Sequence, residues 1–368
     1  MHPHAASPTG DKQHMKKTAA AGLALAAYSS LTLAQSSVTI YGTVDLYMAF
    51  AKSGITSSKR LEDGGQTASR LGFRGTEDLG GGLSAHFTLE SGFAPDTGNG
   101  TLPGPAMSFS RQSFVGLSGP WGQIDAGRMY TPMFYTLFKA DPYGVNSVFS
   151  PINLVAATDA QPGLTPFAAR ASNMVRYRTP ASSDFFADIA YAPGESSAPS
   201  HQSGNFYGGS LGWSRKPYYI AYAFQRARSG AAAAPVAELA TTTYQALSGA
   251  YELPDIGLQF YANYVRNSSN LPRVPTAKLA SLGVTYNVTP ASNLMFEAMQ
   301  RKVDDTGRSQ LAWTLGYDYY LSKRTVLYAR WLRLLNRHGA SASLATIAVA
   351  PDSGAGVRVL AAGIRHNF

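Results

Sequence analysis

The pattern nearest to a catalytic motif in this chain is Gly208-Gly209-Ser210-Leu211-Gly212. It matches Gly-x-Ser-x-Gly, which activates a serine only where a strand turns sharply into a helix. Here it lies inside an alternating polar and apolar segment, where small residues along a strand account for it. Of the seven histidines, three precede residue 15, and His86, His201, His338 and His366 lack the spacing of a triad or a metal site. Cysteine is absent, so disulfides and thiolate metal sites are excluded. No catalytic group, metal or cofactor is expected. What remains is charge. In the stretch 70–74, Arg70, Gly72 and Arg74 share one face while Leu71 and Phe73 take the other.

That alternation is the signature of the elements that must position these residues. Leu258, Phe260, Ala262 and Tyr264 alternate with Gln259, Tyr261 and Asn263. Leu83, Ala85, Phe87 and Leu89 alternate with Ser84, His86, Thr88 and Glu90, and Leu327, Ala329 and Trp331 with Tyr328 and Arg330. A period of two predicts strands with one apolar face. Sixteen such segments are expected: 37–50, 66–76, 82–93, 109–118, 122–131, 173–180, 184–192, 204–214, 217–228, 241–252, 257–267, 276–287, 293–302, 309–320, 325–336 and 356–368.

The 368 residues are 45% hydrophobic, with 36 Gly and only 14% charged residues. Their mean hydropathy of −0.12 excludes a bundle of membrane helices, which needs apolar runs of about 20 residues. It leaves open a soluble β-sandwich or a transmembrane barrel, where only alternate residues face lipid. The N-terminus favours the barrel. Met15-Lys16-Lys17 precedes an uncharged Ala- and Leu-rich stretch ending at Thr32-Leu33-Ala34. A basic start, a short apolar run and small residues at its end predict a secretory signal peptide over 15–34. Residues 1–14 then form an upstream extension, and 35–368 the mature barrel. Removing Lys12, Lys16, Lys17 and Asp11 with the leader takes the formal charge from +9 to +7.

Connection lengths complete the argument. Tight turns such as 77–81, 119–121, 215–216 and 321–324 alternate with longer connections such as 51–65, 94–108, 193–203 and 337–355. Short turns at one rim and long loops at the other, with an even strand count, is the plan of an outer-membrane barrel. Closure also removes the unpaired edges that lipid cannot solvate. The connection 132–172 is about 40 residues long, where 2–6 is usual, and holds Phe134, Tyr135, Phe138, Tyr143 and Phe149. A sixteen-stranded lumen is wide enough to take it. The fold expected is therefore all-β: a 16-stranded antiparallel transmembrane β-barrel with a long third loop folded inward.

The residues themselves resemble the trimeric Gram-negative general porins, in particular their neisserial and Burkholderia-like branch. Ser37-Val38-Thr39-Ile40-Tyr41-Gly42 resembles the opening strand of that family, and Ser69-Arg70-Leu71-Gly72-Phe73-Arg74-Gly75-Thr76-Glu77-Asp78-Leu79-Gly80 its second strand and first turn. Arg111-Gln112-Ser113-Phe114-Val115-Gly116-Leu117, Gly127-Arg128, Leu321-Ser322-Lys323-Arg324-Thr325 and the ending Gly363-Ile364-Arg365-His366-Asn367-Phe368 continue the match in order. The resemblance implies a homotrimer that passes small ions and solutes and lies among outer-membrane lipid and lipopolysaccharide. It also implies that the barrel-assembly machinery reads the terminal Phe368. It maps a wall of arginines onto Arg70, Arg111 and Arg170, to which alternation adds Arg74. An arginine on the lipid face near the midplane would cost about 2–4 kcal/mol, which favours the lumen.

Two departures stand out. Thr43 occupies a place where some relatives have lysine, and the third loop lacks their Pro-Glu-Phe-Gly-Gly stretch. Asp141 and Asp159 are the only acids within 132–172 and so are the candidates for the loop side of a constriction. Three wall arginines against two loop acids tilt the expected channel towards anions. A substrate-specific channel would show a longer track of lumenal aromatics than Tyr261 and Tyr328 offer. A blocked, adhesive barrel would share the same assembly signals. Nucleic-acid binding, suggested by a pI near 9.5, lacks a clustered basic run.

Overall fold

The computed structural model describes residues 1, 37–101, 108–157, 167–195, 202–229, 239–344, 347 and 349–368. The expected signal peptide and its cleavage point lie outside them. The chain opens with β1 (Ser37–Ser53), β2 (Thr56–Asp63), β3 (Arg70–Gly80), β4 (Leu83–Gly92), β5 (Gln112–Gly119) and β6 (Gly122–Tyr130). A helix, α1 (Pro132–Lys139), and a 3-10 turn (Pro151–Ala156) follow. Next come β7 (Arg170–Arg178), β8 (Phe185–Ala192), β9 (Phe206–Arg215), β10 (Tyr218–Ser229) and β11 (Ala240–Leu253). The rest are β12 (Leu258–Ser269), β13 (Ala277–Thr289), β14 (Ser292–Val303), β15 (Ser309–Tyr320), β16 (Thr325–Arg337) and β17 (Val357–Asn367).

Neighbouring strands pair antiparallel all the way round, and β17 returns to β1 from Thr43↔Asn367 to Ser53↔Val357. Gly42 and Phe368 exchange backbone hydrogen bonds of 3.1 Å that close the seam. One expectation is corrected. The stretch 51–65 is not a loop, because it contains β2, which pairs with the upper half of β1 while β3 pairs with the lower half. Together β2 and β3 form one stave broken at 64–69, so seventeen strands make sixteen staves. β2 escapes hydrophobic reading because it is polar on both faces. It still completes the hydrogen bonding of β1, through a hairpin at Gly54 (φ 56°). The break is held by Asp45, whose carboxylate accepts from the Gln66 and Thr67 amides at 2.7 and 2.8 Å and from the Tyr328 hydroxyl.

The outward residues are apolar and open to the surroundings, among them Ile40, Val115, Leu117, Ile189, Leu211, Leu247 and Leu282. Trp121, Phe185, Tyr218, Tyr286, Tyr319 and Phe368 collect beside the short turns, as an aromatic girdle at a membrane interface does.

The long third loop folds inward as expected. Thr131 caps α1 by accepting from the Phe134 amide at 3.3 Å, and Pro132 supplies a first-turn residue with no amide to satisfy. Met133 and Leu137 bury one face of α1 against β8–β11, while Ile152 and Leu154 of the 3-10 turn are buried where it packs on β13–β15. Phe149 meets Tyr47 edge-on at 5.4 Å. Around them close Tyr244, Val265, Leu279, Met299, Leu332 and Leu334 from the wall and Leu344 and Val349 from the last long loop. Burying each such side chain contributes about 1.5–3 kcal/mol, so the loop is part of the core.

Candidate pore constriction

Glu90 sits inward on β4, 4% exposed, and organises the wall opposite this apolar packing. Arg111 donates from Nε to Glu90 Oε1 at 2.7 Å, and Tyr41 donates its hydroxyl to Oε2 at 3.1 Å. Arg70 Nε lies 3.4 Å from the same Oε2. Arg111 also donates to the Tyr130 hydroxyl at 2.9 Å. Arg170 donates to that hydroxyl too, and its guanidinium lies 4.0 Å from the Tyr130 ring centroid. The Tyr130 ring stacks in turn on Phe134 of α1, at 4.2 Å and 17°. An arginine, a tyrosine and a loop phenylalanine thus form one pile joining wall to loop. Arg74 lies over the Tyr41 ring at 5.3 Å.

Strand register explains why residues so far apart converge. Tyr41 pairs with Gly72, and Gly72 with Glu90, so the three form one inward row across β1, β3 and β4. A side chain at 72 would strike the Tyr41 ring, its Cβ lying 2.3 Å from Cζ. Gly92 clears a matching space, since a Cβ there would come within 3.0 Å of Arg111 Cδ. Arg70 therefore occupies the inward position that alternation predicts, followed by Gly72 and Arg74.

The structure brings Arg70 and Arg111 onto the Glu90 carboxylate, with Arg170 joined to them through Tyr130 and Arg74 beside them over Tyr41. Thr43, where relatives can carry lysine, instead donates to Asn367 Oδ1 at 2.9 Å. The neighbouring layers are paired. His86 and Arg178 both meet Asp125, at 2.7 and 3.1 Å, Arg176 bonds Asp188, and Arg330 meets Asp318 at 2.7 Å.

The loop side departs from expectation. Asp141 is only 4% exposed and faces no arginine of the cluster. Its carboxylate accepts from the Tyr143 amide at 3.0 Å, the Val145 amide at 2.5 Å and the Ser150 hydroxyl at 2.6 Å, and it hydrogen-bonds Glu297 of β14. Burial pushes the Asp141 carboxyl above its ordinary value. Asp141 is thus a fastener of the loop, not an exposed acid, because a short turn after α1 needs an acceptor for its free amides. Asp159 lies outside the described residues. Among the described residues of the loop the other charge is Lys139, exposed, its ammonium 5.4 and 5.3 Å from the Phe186 and Tyr219 rings. Sequence reasoning missed Glu90 and Tyr130. Glu90 was visible as part of the polar face of its strand, but nothing in the spacing announced Arg111 as its partner.

A closed antiparallel barrel with an apolar girdle, an inward loop and a charged lumen defines a transmembrane diffusion channel. A family model for Gram-negative porins matches residues 19–339, and the chain belongs to that family. Outer membrane porin protein 32 of Delftia acidovorans is 31% identical over 96% of this chain and all of its own length. The major outer membrane protein P.IB of Neisseria lactamica is 26% identical over 96% of this chain and all of its own. Among solved structures, an anion-selective porin from Comamonas acidovorans superposes with a TM-score of 0.80 at 25% identity, covering 91% of this chain and 100% of that one. OmpT of Vibrio cholerae, in a trimer form, shares the fold at a TM-score of 0.66 and 16% identity, covering 90% of this chain and 99% of that one. The protein is an outer-membrane channel for small solutes, and its family and fold are those of channels, not of enzymes.

Proposed function

We propose that the channel prefers anions, that Arg70, Arg111, Arg170 and Arg74 set the preference, and that it works as a homotrimer. The observation that carries this reading is that Arg70 and Arg111 share the Glu90 carboxylate, with Arg170 and Arg74 held beside them on Tyr130 and Tyr41, while the described acid of the inward loop is buried. Charges at a constriction act on ions over short, poorly screened distances, so an unbalanced cluster raises the local anion concentration. Lys139 adds to the same sign. The similarity to a porin described as anion-selective agrees, and the trimer form of OmpT supports the assembly. Phe368, closing the seam on Gly42, is the proposed mark for the assembly machinery. Residues 15–34 are the proposed export signal. The sequenced N-terminus of protein recovered from the outer membrane should begin at Gln35, and a mature chain still carrying Met15 would refute that assignment.

The test of selectivity is reversal potential in a planar bilayer under a salt gradient. Wild type should give an anion-directed potential with conductance steps in threes. The double variant Arg70→Ala/Arg111→Ala should roughly halve that potential, since two of four wall charges are gone. An unchanged potential would place the selectivity elsewhere.

A further inference from the structure

On the short-turn side of α1 the lumen holds a second basic and aromatic cluster, separate from the arginine wall. A cavity of about 620 Å³ lies between α1, the wall of β6–β10 and the short turns that follow β5 and β7. Its lining includes Tyr135, Lys139, Arg176, Arg178, Phe186 and Tyr219, and none of Arg70, Arg74, Arg111 and Arg170. A volume of that size suits a small organic solute. Phe186 of β8 and Tyr219 of β10 hold their rings parallel to within 3°, with centroids 6.1 Å apart. The Lys139 ammonium stands 5.4 and 5.3 Å from those two rings. Tyr135 adds a third ring, 4.6 Å from the Arg176 guanidinium. The Tyr219 hydroxyl donates to the Thr136 carbonyl at 3.5 Å, so wall and loop share the site.

Charge in this cavity is out of balance. Arg176 bonds both carboxylate oxygens of Asp188, and Asp188 is the one acid in the lining. Among the described residues Lys139 has no carboxylate within ion-pair reach. Arg178 meets Asp125 through Nη2 at 3.1 Å, but its side chain stays 35% exposed and its Nη1 makes no hydrogen bond among the described residues. Arg178 is also near enough to Lys139 for the two charges to oppose each other. A neutral sugar would leave these cations unpaired, and a short aliphatic acid would leave the ring faces unused. We propose that the cavity is a subsite for small aromatic carboxylates, with the carboxylate received by Lys139 and Arg178 and the ring lying against Phe186 and Tyr219. An anion between the two cations converts their repulsion into attraction, and a flat ring meets the parallel rings of the wall. The subsite rests on the anion-favouring channel proposed above and deepens it, naming a class of solute detained between the constriction and the short-turn rim.

The test titrates the refolded protein in a planar bilayer with benzoate at low ionic strength and reads the concentration that halves its chloride conductance. Benzoate should block wild type at about a tenth of the concentration needed with acetate or with neutral benzamide. It should block at about a third of that needed with cyclohexanecarboxylate, which has the charge and the bulk but no aromatic face. Lys139→Gln should raise the half-blocking benzoate concentration about tenfold, as expected when one charge-assisted hydrogen bond is lost. Phe186→Leu should raise it about threefold and leave the reversal potential unchanged. Acetate matching benzoate would mean a free-anion site, and benzamide matching it an apolar one; either result overturns the proposal. So does a benzoate block that neither Lys139→Gln nor Phe186→Leu weakens. Arg70→Ala/Arg111→Ala separates the two readings, because its reversal potential tests ion selectivity while its benzoate block should stay near the wild-type value. If that variant loses the block and Lys139→Gln keeps it, the solute sits at the arginine wall and the subsite is refuted.

Discussion

The two halves of the barrel's inner wall use the same pleat for opposite purposes. Along β3–β7 the inward positions hold Arg70, Arg74, His86, Glu90, Asp125, Arg176 and Arg178. Along β10–β17 many are small or apolar, including Ala223, Ala246, Leu279, Met299, Ala312, Leu332 and Val359, and the third loop lies on them. An outer-membrane barrel is usually described as apolar outside and polar within. Here that holds only where the loop leaves the wall open to water. Charge crowds the wet half, while the covered half is packed like the interior of a soluble protein, with charges such as Arg330 and Asp318 buried as a pair. The passage is narrowed from one side and charged from the other.

Moving charge onto the covered half should break the contrast with the largest effect. Met299→Asp places a carboxylate in the fully buried apolar cluster that includes Phe149, Ile152 and Leu332. Burial of an unpaired charge should cost about 5 kcal/mol or more, enough to release the loop. Urea unfolding of the refolded barrel would register this, together with noisy or enlarged conductance; a wild-type midpoint would show the packing to be dispensable.

Removing the acid that Arg70 and Arg111 share sharpens the contrast at intermediate cost. Glu90→Gln leaves buried Arg111 facing a neutral amide where it had a carboxylate, a loss of about 3 kcal/mol by analogy with broken buried ion pairs. The same variant should raise the anion-directed reversal potential. Lower stability with higher selectivity is the expected pair of readings, and a drop in selectivity would mean that Glu90 matters chiefly for arginine placement.

The smallest effect concerns the fastening of the loop. Because burial raises the Asp141 carboxyl above its ordinary 3.8, the folded state holds this proton more tightly than the unfolded state does. The contribution to stability is therefore greatest at acid pH and is lost as pH rises through the raised value. Midpoints of thermal unfolding measured upward from about pH 4 should decline more steeply in wild type than in Asp141→Ala. Parallel profiles would assign the slope to other groups.

Most of the architecture was legible in the sequence because a strand with one face in lipid must alternate. Leu71 and Phe73 outside, with Arg70 and Arg74 inside, followed from that rule. β2 was not legible: residues 56–63 are polar on both faces, so periodicity carried no signal where hydrogen bonding to β1 decided the structure. Glu90, already on a polar strand face, became meaningful only when register set it beside Gly72 and Tyr41. Asp141 was legible as a rare acid in a long loop, yet its burial depended on where that loop packed.

By itself, then, the sequence determined the alternation, the short and long connections, and the inward side of Arg70 and Arg74, since these follow from the two-residue repeat of one strand and its solvent. Only the tertiary structure decided which charges meet. Arg70, Arg111 and Arg170 span a hundred residues of chain, and their convergence on Glu90 and Tyr130 is fixed by strand register and barrel closure, which bring distant segments within hydrogen-bond reach.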